Sequence, residues 1–161
     1  MNVLLTSFLF VLLAMTNGCS QTNSFDAMLQ DLLNHSVPEL KPAECASGSH
    51  VFLDARELEE YTVSHLPGAI HVGYDSFKVS ALKGLAKDTP LVVYCSVGYR
   101  SEKIAEKLIS MGYTDVHNLY GGIFLWKDSG NRVVDLRGET QRVHTYTEKW
   151  SVWIHNADKV W

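Results

Sequence analysis

Cys95 closes a short apolar run, Leu91-Val92-Val93-Tyr94, and opens the segment Cys-Ser-Val-Gly-Tyr-Arg-Ser over residues 95–101. The thiolate is the nucleophile in cysteine chemistry, and a free thiol, titrating near about 8.5, is shifted down by helix N-termini and nearby cations. Gly98 relaxes the backbone between Cys95 and a helix expected to start near Ser101. Loop N–H groups and the positive end of that helix can then converge on an anion. This is a pattern for nucleophilic thiolate chemistry. The competing reading is a packing cysteine, since free cysteine is among the most buried residue types. Gly98, Arg100 and the helix start weigh against it.

The elements that must position this loop are legible on both sides. Four apolar residues without alternation read as a strand buried on both faces of a parallel sheet. Behind the loop, Ile104, Ala105, Leu108 and Ile109 recur at helical spacing, Glu102, Lys103, Glu106 and Lys107 take the opposite face, and Gly112 suits a left-handed end. Upstream, Phe25, Met28, Leu29, Leu32 and Leu33 mark an amphipathic helix with Ser24 as N-cap. Residues 37–40 suit a short edge strand, because Pro38 would be costly in a central one. Cys45 falls in a short helix over 42–46 as a packing residue. Residues 51–53 predict a strand ending at Asp54, 57–61 a short helix, 69–72 a strand, and 75–85 a helix burying Phe77 and Leu82. A strand over 116–119 and a helix from Gly121-Gly122 through Trp126 follow. In the tail, Trp150, Trp153, Ile154, Ala157 and Trp161 recur at helical spacing and predict a docked helix. Strands alternating with helices argue an α/β fold, with a mainly parallel central sheet flanked by helices on both faces and ligands at the C-terminal ends of strands. Cys95 lies at such an end.

The 161 residues suffice for one domain with a real core, and a net charge of −4 without a basic run excludes an electrostatic footprint for nucleic acid or an anionic membrane surface. No charged side chain precedes Asp26 and residues 3–15 are almost wholly apolar, so 1–18 read as a signal peptide. The apolar run is short of the about 20 residues of a membrane span. Gly18-Cys19 resembles a lipoprotein cleavage site, although this N-terminus has no Lys or Arg and no leucine three places before the cysteine. Lipidation of Cys19, an ordinary cleaved signal and a retained anchor are the alternatives. Each predicts export to a bacterial cell envelope or periplasm, with membrane contact only through an anchor. Residues 19–36 then form a tether and N-terminal helix. A Cys45–Cys95 bridge is conceivable in an oxidising compartment, but it would block the nucleophile.

Three motifs stand in order along residues 37–127. The first is Val51-Phe52-Leu53-Asp54-Ala55-Arg56-Glu57 with Glu60-Tyr61 and His65-Leu66-Pro67-Gly68-Ala69-Ile70. The second is Val93-Tyr94-Cys95 through Gly98, Arg100 and Ser101, and the third is Tyr120-Gly121-Gly122 with Trp126. Together they resemble the rhodanese family of single-domain sulfurtransferases. The resemblance implies that Cys95 accepts a sulfane sulfur from thiosulfate or a persulfide donor and passes it to a thiol, cyanide-like or protein thiol acceptor. Neither metal nor organic cofactor is implied. Ser96, Val97, Gly98, Tyr99, Arg100 and Ser101 become the donor-binding loop, with the Arg100 fork suited to an anionic donor and a structural ion pair as its alternative. The Ser96 and Tyr99 hydroxyls meet either donor or solvent. Asp54 and Arg56 resemble the family's scaffold pair, and His65 is expected to make a structural hydrogen bond. Residues 128–161 form a C-terminal extension, resembling those of some exported bacterial members.

Other classes fit less well. The phosphatases and arsenate reductases of this fold use seven residues from cysteine through arginine, whereas Cys95 to Arg100 spans six. The remaining histidines show no ligand spacing for a metal. A non-catalytic or sulfur-carrier binding module of the cell envelope is the alternative from a different class.

Overall fold

The computed structural model describes residues 24–45 and 48–161. The expected signal peptide, Cys19 and the start of the tether lie outside the described residues. The first helix, α1 (Phe25–Leu32), is capped by Ser24, whose Oγ accepts from the Ala27 N–H at 3.1 Å. It leads to the edge strand β1 (Glu39–Leu40), the short helix α2 (Pro42–Cys45) and the strand β2 (Val51–Asp54). Then come α3 (Leu58–Val63), β3 (Ile70–His71), β4 (Leu91–Tyr94), α4 (Tyr99–Ser110), β5 (Val116–Leu119) and α5 (Gly122–Asp128). The tail adds three short strands, β6 (Val133–Asp135), β7 (Gly138–Thr140) and β8 (Arg142–His144), and ends with β9 (Asp158–Val160).

The central sheet has the order β1-β5-β4-β2-β3, and every pairing in it is parallel. All four residues of β4 are buried, and successive side chains of a strand point to opposite faces. Leu91 and Val93 therefore join one core with Ile104, Ala105 and Leu108 of α4. Val92 and Tyr94 join the other, with Leu29 of α1, Ile123 and Phe124 of α5, and Val133, Val143 and Ile154 of the tail. The expected α/β architecture with layers on both faces is present. Register places Asp54 beside Tyr94, so β2 and β4 end together and their following loops converge.

Two expected helices are absent. Over 75–85 only a 3-10 helix, Val79–Leu82, forms. The Lys78 N–H donates to Val72 O at 2.8 Å, and the Ala81, Lys83 and Leu85 N–H groups donate to carbonyls three residues back, so no α-helical ladder propagates through this segment. Leu82 is buried as expected, while Phe77 is partly buried. In the tail, the aromatic pair Trp150 and Trp153 belongs to a second 3-10 helix, Glu148–Trp153. A spacing of three residues satisfies a 3-10 helix as well as an α-helix. Ile154 then extends, and the Asp128 carboxylate accepts from the N–H groups of His155 and Asn156 at 2.9 and 2.7 Å. The chain is thereby turned into β9, which pairs in parallel with β8. Trp161, expected on the helix's packed face, is largely exposed.

Candidate active site

Cys95 follows β4 directly, and the next helix begins at Tyr99, slightly earlier than the expected Ser101. Gly98 makes this possible by adopting a φ of 115° as N-cap, and its N–H donates to Cys95 Sγ at 3.1 Å. The first N–H groups of a helix have no intrahelical acceptor, so the start of α4, next to the sulfur, keeps donors that its own helix does not use. Behind the loop, Asn118 Nδ2 donates to Gly98 O at 3.1 Å, and Ser101 Oγ lies 2.7 Å from Asn118 Oδ1. Beneath it, the Ile123 and Phe124 N–H groups at the start of α5 donate to the carbonyls of Cys95 and Ser96 at 2.9 and 3.2 Å. Gly122 permits that approach: its φ is 55°, and a Cβ there would lie 2.3 Å from Cys95 O. The glycine pair of the third motif thus braces the cysteine loop.

Charge is organised around a residue that the sequence placed in a motif but not in the site. Arg100 donates from Nη1 and Nη2 to the two oxygens of Glu60, each at 2.7 Å, and Ser96 Oγ donates to Glu60 Oε1 at 3.2 Å. Burial alone would raise the Glu60 carboxyl; the hydrogen bond and charge of Arg100, with the charge of Arg56, hold it below the usual carboxylate range. Burial likewise opposes the Arg100 charge, but Glu60 and then Cys95 raise its pKa. The alternative of a structural ion pair therefore describes Arg100 in this geometry, although its side chain still lines the pocket. Glu60 had one legible signal: with Glu57 it makes a Glu-x-x-Glu spacing at a helix start, and it accepts the Glu57 N–H at 3.0 Å.

The other expected residues fall into place around this centre. Arg56 and Asp54 form a fully buried pair at 2.7 Å, and Arg56 Nη2 also donates to Ser64 O at 2.6 Å. His65 donates from Nδ1 to Tyr61 O at 3.0 Å and stacks on the Tyr61 ring, a structural role. Ser96 turns inward to Glu60, whereas Tyr99 is exposed and faces the pocket. Ser101 is buried behind the loop, so the loop residues divide between pocket wall and support.

A pocket of about 380 Å³ opens above Cys95. Its floor is Cys95, Ser96, Val97 and Arg100; its walls include Leu32 from α1, Glu57, Tyr74 and Asp75, and from the tail Tyr146 and Trp150. Tyr146 has a φ of 67°, its N–H donates to His144 Nδ1 at 3.0 Å, and its ring lies 5.2 Å from the Arg100 guanidinium carbon. No sequence signal tied Tyr146 or Asn118 to the cysteine; both reach it only through the tertiary fold.

Comparison with known proteins agrees with this geometry. The rhodanese-like domain model matches residues 37–129. The chain is 36% identical over 86 residues to the adenylyltransferase and sulfurtransferase UBA4 of Candida albicans, covering 49% of this chain. It spans only 20% of the length of that protein and of its Meyerozyma guilliermondii counterpart. It is 35% identical over 80 residues to the thiosulfate sulfurtransferase GlpE of Pseudomonas fluorescens, covering 49% of this chain and 72% of that one. A solved thiosulfate sulfurtransferase from Pseudomonas aeruginosa superposes with a TM-score of 0.57 over 80% of this chain and 26% of that one, at 24% identity, a likeness of fold. The motif order, the loop braced at the end of β4 and the match over more than half of the chain agree: the chain belongs to the rhodanese-like domain family.

Proposed function

We propose that the protein is a sulfurtransferase, taking a sulfane sulfur from thiosulfate or a persulfide donor onto Cys95 and passing it to a thiophilic acceptor. The observation that carries this reading is the position of Cys95: its sulfur accepts the Gly98 N–H at the start of α4, on the floor of an open pocket. The sulfurtransferase names of the relatives support it.

In the first half-reaction the Cys95 thiolate attacks the sulfane sulfur. The bond between that sulfur and the rest of the donor breaks, and the electron pair leaves with sulfite or with the donor thiolate. The new persulfide carries negative charge on its outer sulfur, which the loop amides and the positive end of α4 stabilise. In the second half-reaction the acceptor thiolate attacks the outer sulfur, and Cys95 departs as a thiolate. No net oxidation occurs.

Intact-mass measurement after incubation with thiosulfate or an organic persulfide tests the reading. The expected result is a gain of one sulfur atom, lost on treatment with a thiol reductant and absent in Cys95→Ser. Absence of an adduct from every donor would overturn it. We further propose export, from the pattern of residues 1–19. Detergent partitioning of the expressed wild type against Cys19→Ser tests the lipid anchor, and equal partitioning would reject lipidation.

A further inference from the structure

We propose that the pocket charges together with the aromatic wall of the C-terminal extension make this site selective for organic sulfur donors that carry an aryl or bulky alkyl group and at most one negative charge, over the dianion thiosulfate. The proposal rests on Cys95 acting in sulfur transfer; it assigns the charge preference to residues within the 37–129 segment matched by the family model and the preference for an apolar group to Leu32, Tyr146 and Trp150 beyond it.

Charge is the first argument. Arg100 is the only Lys or Arg among the pocket-lining residues, and both of its terminal nitrogens are engaged by Glu60 at 2.7 Å. The pair leaves little net positive charge to offer a donor. The pocket walls carry the carboxylates Glu57 and Asp75. A dianion entering a cleft lined by net negative charge is repelled, and a monoanion half as strongly.

Size and surface are the second. Thiosulfate has five heavy atoms, whereas about 380 Å³ falls within the range of about 300–1,000 Å³ typical of sites for carbon-bearing ligands. The space beyond the cysteine loop is walled by Tyr146, Trp150 and Leu32. Aromatic rings of this kind bind an apolar group through buried area and ring contacts.

The aromatic wall is also held in place. A non-glycine residue at a φ of 67° persists only where its surroundings impose it. For Tyr146 these are the hydrogen bond to His144 and the ring contact with Arg100. Trp150 is fixed by the 3-10 helix Glu148–Trp153, which is anchored beside α1 through the contact of Phe25 with Trp153, ring centres 5.9 Å apart.

A series of thiosulfonates separates the two arguments. With each, the Cys95 thiolate attacks the terminal sulfur of R–SO2–S⁻, the S–S bond breaks and the electron pair leaves with the sulfinate R–SO2⁻, so no further reactant is required. Methanethiosulfonate and benzenethiosulfonate are both monoanions and differ in the apolar group; thiosulfate is the dianion. Rates are divided by the uncatalysed rate of each donor with a small thiol, which removes intrinsic reactivity. We expect a normalised kcat/KM at least about tenfold higher for the benzene than for the methane compound. That ratio should fall below about threefold in Tyr146→Gly, which keeps the left-handed backbone at an exposed position, and in Trp150→Leu. Asp75→Asn should raise kcat/KM for thiosulfate by about threefold and by less for either monoanion. Circular dichroism and thermal melting establish that each variant is folded. A normalised benzene-to-methane ratio near one, or a ratio unchanged by both aromatic substitutions, would overturn the proposal. Failure of all three donors and of an organic persulfide to load Cys95 would instead refute sulfur transfer itself.

Discussion

The two cysteines among the described residues are both buried and both unpaired, yet they sit in opposite electrostatic settings. Cys45 is the last residue of the four-residue α2, packed in the core, and burial with the neighbouring Glu44 charge pushes its thiol up to about 11. Cys95 precedes the twelve-residue α4, receives the Gly98 N–H on its sulfur, and lies close enough to Arg100 for its charge to raise the arginine's pKa. Burial alone therefore does not distinguish the settings of the two thiols. What distinguishes them is which end of a helix, and which neighbouring charge, the sulfur meets.

The sharpest test of this contrast is competitive alkylation. At neutral pH a thiol titrating near about 11 is thiolate in only about one molecule in 10⁴. Cys95, on the floor of the pocket with the Gly98 N–H on its sulfur, should react with iodoacetamide about 10²–10³ times faster than Cys45, read by peptide mass mapping against time. Similar rates would break the comparison.

Next in size is the brace beneath Cys95. Gly122→Ala would set a Cβ 2.3 Å from Cys95 O at a φ of 55°, which cannot be relieved without moving backbone. A displacement of about 1 Å at a reacting centre can cost about 10²-fold, and the sulfur-transfer rate of a folded Gly122→Ala protein should fall by about that factor. A rate within about twofold of wild type would show that the loop does not depend on α5.

The Glu60–Arg100 pair gives a smaller effect with a defined pH signature. Glu60→Gln should lower stability at neutral pH by about 1–3 kcal/mol, below the full cost of breaking a buried pair because Arg100 reaches solvent. The folded-state pKa of Glu60 is depressed, so its contribution is present above the unfolded carboxylate value and is lost as pH falls through the folded one. Urea midpoints of wild type and variant should therefore converge on acidification below the usual carboxylate range. A gap that stays constant with pH would contradict this placement of the charge. The smallest effect is expected at the other cysteine: Cys45→Ala should cost about 1 kcal/mol of stability and leave sulfur transfer within about twofold of wild type.

The amino-acid sequence by itself determined the centre of this molecule. The unbroken apolar run of β4, the cysteine at its end, Gly98 and the amphipathic α4 are local patterns, and each depends on residues within one or two turns of chain. The parallel α/β alternation and the capped α1 followed from the same short-range periodicities. Tertiary structure decided what surrounds that centre. Arg100 pairs with Glu60, forty residues away, and Tyr146, still more distant in sequence, stands over the Arg100 guanidinium. The tail shows why such features were not legible. The spacing of Trp150 and Trp153 fits an α-helix and a 3-10 helix equally, and only Asp128, capturing the N–H groups of His155 and Asn156, turned the chain into a strand. Local spacing limits the elements a segment can form, while the partner that satisfies its backbone and charged groups comes from elsewhere in the fold.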